Sequence, residues 1–374
     1  MSRESSIAGE GKMSRVEFCT LGMFILDDID FEGSRPSVKN VLGGAASFAV
    51  IGARLAAGKE YSRSVSWIVD VGSDFPPEVL DVITAWDTNC VIRRDPGRLT
   101  TRAWNGYGPN EKRATTRAIH AFGLPSAVKN VSYVRHILQR REALAGGSNE
   151  RPIFVWEPVP DMCTPEEQLK FLEACREVDV VSPNDLELGM MFGHPCWNEG
   201  SAEGKETVNQ ILDSGIGSRG EGYLVIRAGK DGSYAYSRGL RLWLPAYHQP
   251  TASGSSPVVD PTGAGNSFLG ALAQGMVSEG RDATKVISSI LAESANWQKA
   301  TASCGKYHSI PPALILATVA ASFVVEQIGV PRQSTSHEGK ELWNGIEFTE
   351  RVRLYTHKFC RTLEESPQNH LQIN

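Results

Sequence analysis

Residues 258–280 read VVDPTGAGNSFLGALAQGMVSEG, and how this stretch is parsed decides the fold. Val258 and Val259 close a short apolar strand, and Asp260 to Gly265 form a tight turn of small residues. Phe268, Leu269, Leu272, Ala273, Met276 and Val277 then recur at helical spacing until Gly280 stops the helix. With Gly263, Ala264 and Gly265 at the helix mouth, successive backbone N–H groups stay uncovered, and the helix dipole adds partial positive charge. An anion suits such a seat, a phosphate first among them. A plain strand-to-helix turn, with glycines for geometry alone, is the alternative reading of the same residues.

Upstream, strands and helices alternate. Val16–Gly22 and Val65–Val71 read as strands, Gly43–Ala57 as a helix dense in small residues, and Pro77–Trp86 as a helix with proline in its first turn. Ile29–Leu42 shows little periodicity. Val91–Ile119 breaks into polar and aromatic alternations around Thr100, Trp104, Tyr107 and the turn GPNEKR, as a β excursion carrying loops would. A helix is expected near Tyr133–Ala145. The alternation then resumes with strands IFVWEP (153–158), VDVVSPN (178–184) and YLVIRAG (223–229), with helices at 165–176, 185–192 and 203–214 between them. Continuous apolar strands of this kind belong to a parallel sheet covered on both faces. Ser233–Leu244 reads as a hairpin, followed after the organising helix by helices at Asp282–Trp297 and Ala313–Gln327. Residues 1–15 are polar and read as a disordered start, residues 16–330 as one domain, and 331–374 as a C-terminal extension with one helix near Phe348–Thr362.

Composition narrows the function classes. A chain of 374 residues, 41% hydrophobic, can bury a large core, and a formal net charge of −5 gives no basic footprint for nucleic acid. Seven cysteines without a CxxC pair argue against a disulfide framework and a zinc site. The longest apolar helical run, near Ala313–Val325, falls short of the ~20 residues a bilayer span needs. These features read as a soluble cytoplasmic protein with no membrane partner. Gly229-Lys230 is not a P-loop, lacking the glycine five positions earlier and the Ser/Thr after, and no GxGxxG follows a strand.

The run DPTGAGNSF (260–268) resembles the second signature of the PfkB, or ribokinase-like, carbohydrate kinases, D-T-x-G-A-G-D. Further patches resemble the same family in the same order over roughly Val16–Gln327: Gly22 to Asp27, Gly43-Gly44 with its helix, Asn184 to Glu187 as N-x-x-E, and Arg227 to Gly232 as T-x-G-x-x-G. A fungal, maintenance-of-killer-like branch is especially similar, sharing GAGN (263–266) and ASFVVEQIGVP (321–331). The resemblance implies a doubly wound, mostly parallel α/β sheet with helices on both faces and a small β lid, from about 28–42 and 91–119. The site would lie at the carboxyl ends of the strands.

It further implies ATP and Mg²⁺ as cofactors, a monovalent cation near Asp260, a small-molecule alcohol as acceptor, and a homodimer through the lid. By resemblance, Gly263, Ala264 and Gly265 form the anion hole, with Asn266 at the catalytic position. Asn184, Glu187, Arg227, Gly229, Gly232, Asp260 and Thr262 line the nucleotide, Glu187 also serving the metal. Asp27, Gly43, Gly44, Phe48 and Trp104 face the acceptor. Locally, Asn184 and Glu187 read equally well as a capping box, Gly229–Gly232 as a turn into a hairpin, and Asp27-Asp28 as a solvated loop pair.

Three positions depart from the family pattern. Asn266 stands where the family has the aspartate that takes the hydroxyl proton, Phe48 where many members have a sugar-binding asparagine, and Arg227 where the usual residue is threonine. Loss of a general base lowers rate by about 10²–10⁴-fold, yet phosphoryl transfer depends mainly on positioning and charge stabilisation. Two readings follow: an ATP-dependent phosphotransferase acting on a sugar-like or nucleoside-like alcohol, or an impaired pseudokinase that binds nucleotide or ligand as a structural or regulatory protein. Cys304–Leu316 sits where the family passes more directly between helices, and reads as an insertion or a retained intron.

Overall fold

The structure is a computed structural model describing residues 16–31, 36–107, 113–116, 132, 136, 139, 140, 152–249, 256–278, 280–301, 309–365 and 371–373. The start at 1–15, most of the helix expected near Tyr133–Ala145, residues 108–112 of the GPNEKR turn, 117–119 and Cys304 lie outside the described residues.

In chain order the first half comprises β1 (Phe18–Cys19), β2 (Ile25–Phe31), β3 (Val38–Gly43), α1 (Gly44–Ala57), β4 (Val65–Val71), α2 (Pro77–Ala85), β5 (Asn89–Arg94), β6 (Arg102–Tyr107) and β7 (Arg113–Thr116). There follow β8 (Val155–Trp156), α3 (Gln168–Cys175), β9 (Val180–Val181), α4 (Asp185–Met191), α5 (Ala202–Ser214), β10 (Tyr223–Arg227), β11 (Ser233–Ser237) and β12 (Leu240–Leu244). The last part holds α6 (Ala264–Val277), α7 (Asp282–Glu293), α8 (Ala295–Thr301), α9 (Ile310–Val324), β13 (Gln333–Thr335), β14 (Glu341–Trp343), α10 (Phe348–Glu365) and β15 (Leu371–Ile373).

The α/β layer is built from a three-stranded parallel sheet, β1-β4-β5, and a six-stranded sheet, β15-β12-β11-β10-β9-β8, parallel from β8 to β10 and antiparallel beyond. Alternation along β10 shows why the strand is apolar throughout. Leu224 and Ile226 enter a core with Phe171, Cys175, Leu188, Met191 and Ile211, while Val225 between them joins the larger core of α1, α6 and α9. Helices therefore cover both faces of this sheet, as continuous apolar strands require. Ser233–Leu244 is the expected hairpin, β11 pairing antiparallel with β12.

Three helices on the larger core side approach at backbone distance. A β-carbon on Gly52 of α1 would lie 2.9 Å from Ser267 Cα, one on Gly270 of α6 would lie 2.8 Å from Ala49 Cα, and one on Gly275 would lie 2.9 Å from Ala313 Cα of α9. The small residues of α1 thus serve contact with α6. Helix α9 is apolar all round because it is enclosed, and Ile310–Ala317 is buried without a break. That part of the Cys304–Leu316 segment is core.

Four expectations change. Val258 and Val259 form no strand: they are 40% and 45% exposed, and the N–H groups of Val259 and Asp260 both donate to Val325 O at the end of α9 (2.7 and 3.2 Å). The helix expected over Asp282–Trp297 divides at Ser294, whose extended backbone ends α7 and whose hydroxyl accepts the Trp297 N–H (3.4 Å). The aperiodic stretch Ile29–Leu42 contains β3, paired with β2 through a register shift between Asp27 and Ile29 that hides its alternation. The start of the β excursion is β5, which joins the parallel sheet beside β4; β6 and β7 complete a separate four-stranded sheet ordered β3-β2-β6-β7.

The C-terminal segment is built into the molecule. Strand β15 pairs with β12 at the sheet edge. Val352, Tyr355, Phe359 and Leu363 recur at helical spacing on α10, and with Trp343 all are at most 1% exposed. The Tyr355 hydroxyl donates to Pro245 O at 2.6 Å. Each such side chain contributes about 2–3 kcal/mol through burial.

Candidate active site

Helix α6 opens on Gly263, which has φ 81°, the left-handed region that glycine enters without strain. Asp260 sets up the turn: its Oδ1 accepts the Thr262 N–H at 2.9 Å, and the Asp260 side chain is buried. Ala264, Gly265 and Asn266 are the first three helical residues; the Ala264 N–H donates to Pro261 O (3.2 Å), which leaves the Gly265 and Asn266 N–H groups with no helical carbonyl behind them. Ser267 is the first whose N–H reaches back to Gly263 O, at 2.9 Å. Phe48 of α1 lies directly beneath: a β-carbon on Gly263 would overlap its ring, which is 3% exposed. Phe48 therefore acts as the apolar floor of the turn. Asn266 is half-buried on the first turn.

The second wall is electrostatic. Arg227 ends β10, its N–H donating to Pro183 O (3.1 Å), and its side chain folds toward α6. The NH2 group donates to Ser182 O (3.0 Å), pairs with Glu187 Oε2 (3.4 Å) and bonds Glu157 Oε1. A β-carbon on Gly265 would overlap NH1 of the same guanidinium. Glu187 holds the capping box anticipated from the sequence: Asn184 Oδ1 accepts the Glu187 N–H (2.7 Å) and Glu187 Oε2 accepts the Asn184 N–H (2.8 Å). Burial pushes the Glu187 carboxyl above its usual range, with Arg227 and the Asn184 amide pulling the other way. Gly229 and Gly232 turn the chain at φ 51° and 89°, and Gly232 is packed against the end of β12, where a β-carbon would lie 2.9 Å from Ala246 N.

The acceptor-side residues gather on β2 and β3. Asp27 is 6% exposed, so the solvated-loop reading does not hold, and a β-carbon on Gly43 would fall 2.7 Å from its Cγ. Gly43 is thus the residue that lets a carboxylate lie against the entry to α1. Gly44, at φ 84°, turns the chain into the helix, and the Ser47 hydroxyl donates back to Gly43 O at 2.6 Å. Asp28 points elsewhere, accepting from the Asn40 N–H (3.1 Å) and pairing with Arg102 (3.4 Å). Trp104 on β6 is 41% exposed, its indole N–H bonded to Asp30 Oδ2 (2.5 Å).

The fold brings Gly263, Gly265, Phe48, Arg227, Glu187 and Asn184 into one cluster, with Asp27, Gly43 and Gly44 joined to it through α1. Trp104 stands apart on the small sheet. Sequence reading missed Glu157. Its signal was position: a carboxylate at the carboxyl end of the strand IFVWEP, where ligands of an open α/β sheet bind. The donors present are of the kind a phosphate takes: the Gly265 and Asn266 amides at the helix mouth lie beside the Arg227 guanidinium, whose Nε has no hydrogen-bond partner.

Comparison with known proteins agrees with this geometry. A family model described as pfkB family carbohydrate kinase matches residues 157–334. The chain is 32% identical over 375 residues to an uncharacterised protein of Schizosaccharomyces pombe, covering 94% of this chain and 95% of that one. It is 30% identical over 368 residues to the protein MAK32 of Saccharomyces cerevisiae, covering 90% of this chain and 91% of that one. Among solved structures it resembles a ribokinase from Giardia lamblia (TM-score 0.58, 15% identity, 95% of this chain and 99% of that chain). A ribokinase II of E. coli in complex with ATP and Mg²⁺ is also similar (TM-score 0.56, 17% identity, 91% and 98%). At these identities the structural likeness speaks for the ribokinase-like fold. The chain belongs to the pfkB family of carbohydrate kinases, alongside these yeast relatives.

Proposed function

We propose that this protein is an ATP-dependent phosphotransferase that passes the terminal phosphoryl group of ATP to an alcohol group of a sugar-like or nucleoside-like small molecule. The observation that carries this reading is the mouth of α6, where Gly263 in the left-handed region opens the first-turn amides of Gly265 and Asn266 beside the Arg227 guanidinium. Preorganised donors at such a point stabilise charge on a transferring phosphoryl group. ATP supplies that group and Mg²⁺ neutralises its charge, with Glu187 the residue to hold metal-bound water. Asp260 and Thr262 shape the nucleotide-side turn, where Asp260 would hold a monovalent cation, and Gly229 and Gly232 would flank the nucleotide. Asp27, beside Gly43 and Gly44, accepts hydrogen bonds from the acceptor's hydroxyls. The sheet β3-β2-β6-β7, carrying Trp104, acts as the lid and dimer surface, and excludes water that would compete as acceptor. Phe48 offers no polar atom to the acceptor and instead closes the floor under the anion turn.

Asn266 orients the acceptor hydroxyl without taking its proton, which passes to water or another group, so the reaction is slow. Among the described residues no helix is long and apolar enough to cross a membrane, in keeping with a soluble cytoplasmic enzyme. A second reading, a nucleotide-binding pseudokinase with a structural or regulatory role, is favoured by the same amide at position 266. An assay of ATP consumption against a panel of sugars and nucleosides tests the proposal. Acceptor-dependent turnover supports the kinase, and bound nucleotide with no turnover on any acceptor supports the second reading.

A further inference from the structure

A guanidinium beside the N-terminus of a helix is electrostatically misplaced, because the partial positive charge of the helix end repels it. Arg227 nevertheless lies so close to Gly265 that a β-carbon there would overlap NH1. Its NH2 is held by Glu157 Oε1, Ser182 O and Glu187 Oε2, and the side chain is only 12% exposed. The Nε atom is buried and has no partner. A structural ion pair alone would be better placed away from the helix mouth. An anion on the first-turn amides removes the repulsion and gains the guanidinium as a further donor.

We infer that Arg227 is a positioning residue for the terminal phosphate of the nucleotide, and that Glu157 and Glu187 hold it at the α6 mouth until that phosphate arrives. This rests on the nucleotide reading of that mouth. The clamp has a cost with a definite sign: Glu157 Oε1 would lie 3.8 Å from a β-carbon on Gly265 and faces the same space, so it opposes the incoming phosphate while it orients the arginine. Arg227 therefore discriminates by the number of phosphates, favouring a triphosphate over a diphosphate, and Glu157 sets how strongly.

The test is calorimetric titration of the full chain and its Arg227→Gln and Glu157→Gln variants with ATP, ADP and adenosine, magnesium present throughout. Arg227→Gln is expected to weaken ATP by about ten- to a hundred-fold, the range of one charge-assisted hydrogen bond. ADP should change far less and adenosine not at all. Glu157→Gln is expected to tighten ATP. Equal losses for ATP and ADP in Arg227→Gln, or no loss, overturn the inference, as does weaker ATP binding in Glu157→Gln. Should Arg227→Gln not fold, the direction of change in Glu157→Gln decides. If the native chain binds ATP but Arg227→Gln binds it equally well, the inference fails and the nucleotide site stands; if the native chain binds none of the three, both fall.

Discussion

The ring of Phe48 lies against Gly263 closely enough that a β-carbon at residue 263 would overlap it. The apolar floor on α1 and the anion turn of α6 are therefore one packed unit. Restoring the family's usual residue here should do harm: Phe48→Asn removes a ring that is 3% exposed and buries an amide in its place. We expect a loss of about 3–5 kcal/mol in stability, read by denaturant unfolding, with no gain in acceptor affinity.

Gly52 and Gly270 form a reciprocal contact between α1 and α6, each Cα facing the other helix's backbone. Gly52→Ala forces the helices apart and should cost about 1–3 kcal/mol. Because α6 carries the anion turn, nucleotide binding should weaken in the folded fraction as well.

Asn266→Asp places a carboxylate on the first turn of α6, where the helix end favours negative charge, so the melting temperature should hold or rise slightly. The new base should raise turnover by about 10²–10⁴-fold over the slow native rate. Turnover found in the aspartate variant alone would mark the native chain as a binder of nucleotide.

Much of this site was legible in the sequence because its glycines are needed for backbone geometry. Gly263 and Gly44 sit in the left-handed region, and Gly43 is fixed by the carboxylate against it. Phe48 and Arg227 were legible only as departures, since whether a ring lines a pocket or closes its floor depends on another segment more than two hundred residues away. Glu157 belongs to no motif, and its one signal was its place at the carboxyl end of a strand; its role is defined by the arginine it meets. The bulge between β2 and β3 erased the alternation that would have revealed β3, and the apolar Val258-Val259 mimicked a strand although its N–H groups serve the end of α9. The C-terminal residues read as an extension because the core face of α10 is a narrow stripe on an otherwise polar helix.

A largely buried charge network joins that extension to the rest. Glu326 accepts from Arg351 (2.8 Å) and Asn344 (2.7 Å) and pairs with His248 (3.1 Å). Burial pushes its carboxyl up, and these three partners together outweigh burial and hold it at about 2, below the unfolded 4.5. A depressed carboxyl stabilises the fold above the unfolded value, and that stability drains as pH falls from about 4.5 toward 2. Glu326→Gln should cost about 2–4 kcal/mol at neutral pH and flatten the acid limb of the stability curve, measured by urea unfolding across pH.

The central claim is that the amides opening α6 hold a nucleotide's phosphate. Titration of the full chain with ATP and magnesium, followed by calorimetry and by melting temperature, tests it most directly. The account predicts a saturable heat with a Kd below about 1 mM and a melting temperature that climbs with ligand concentration. Absence of both signals at several millimolar ATP would contradict it.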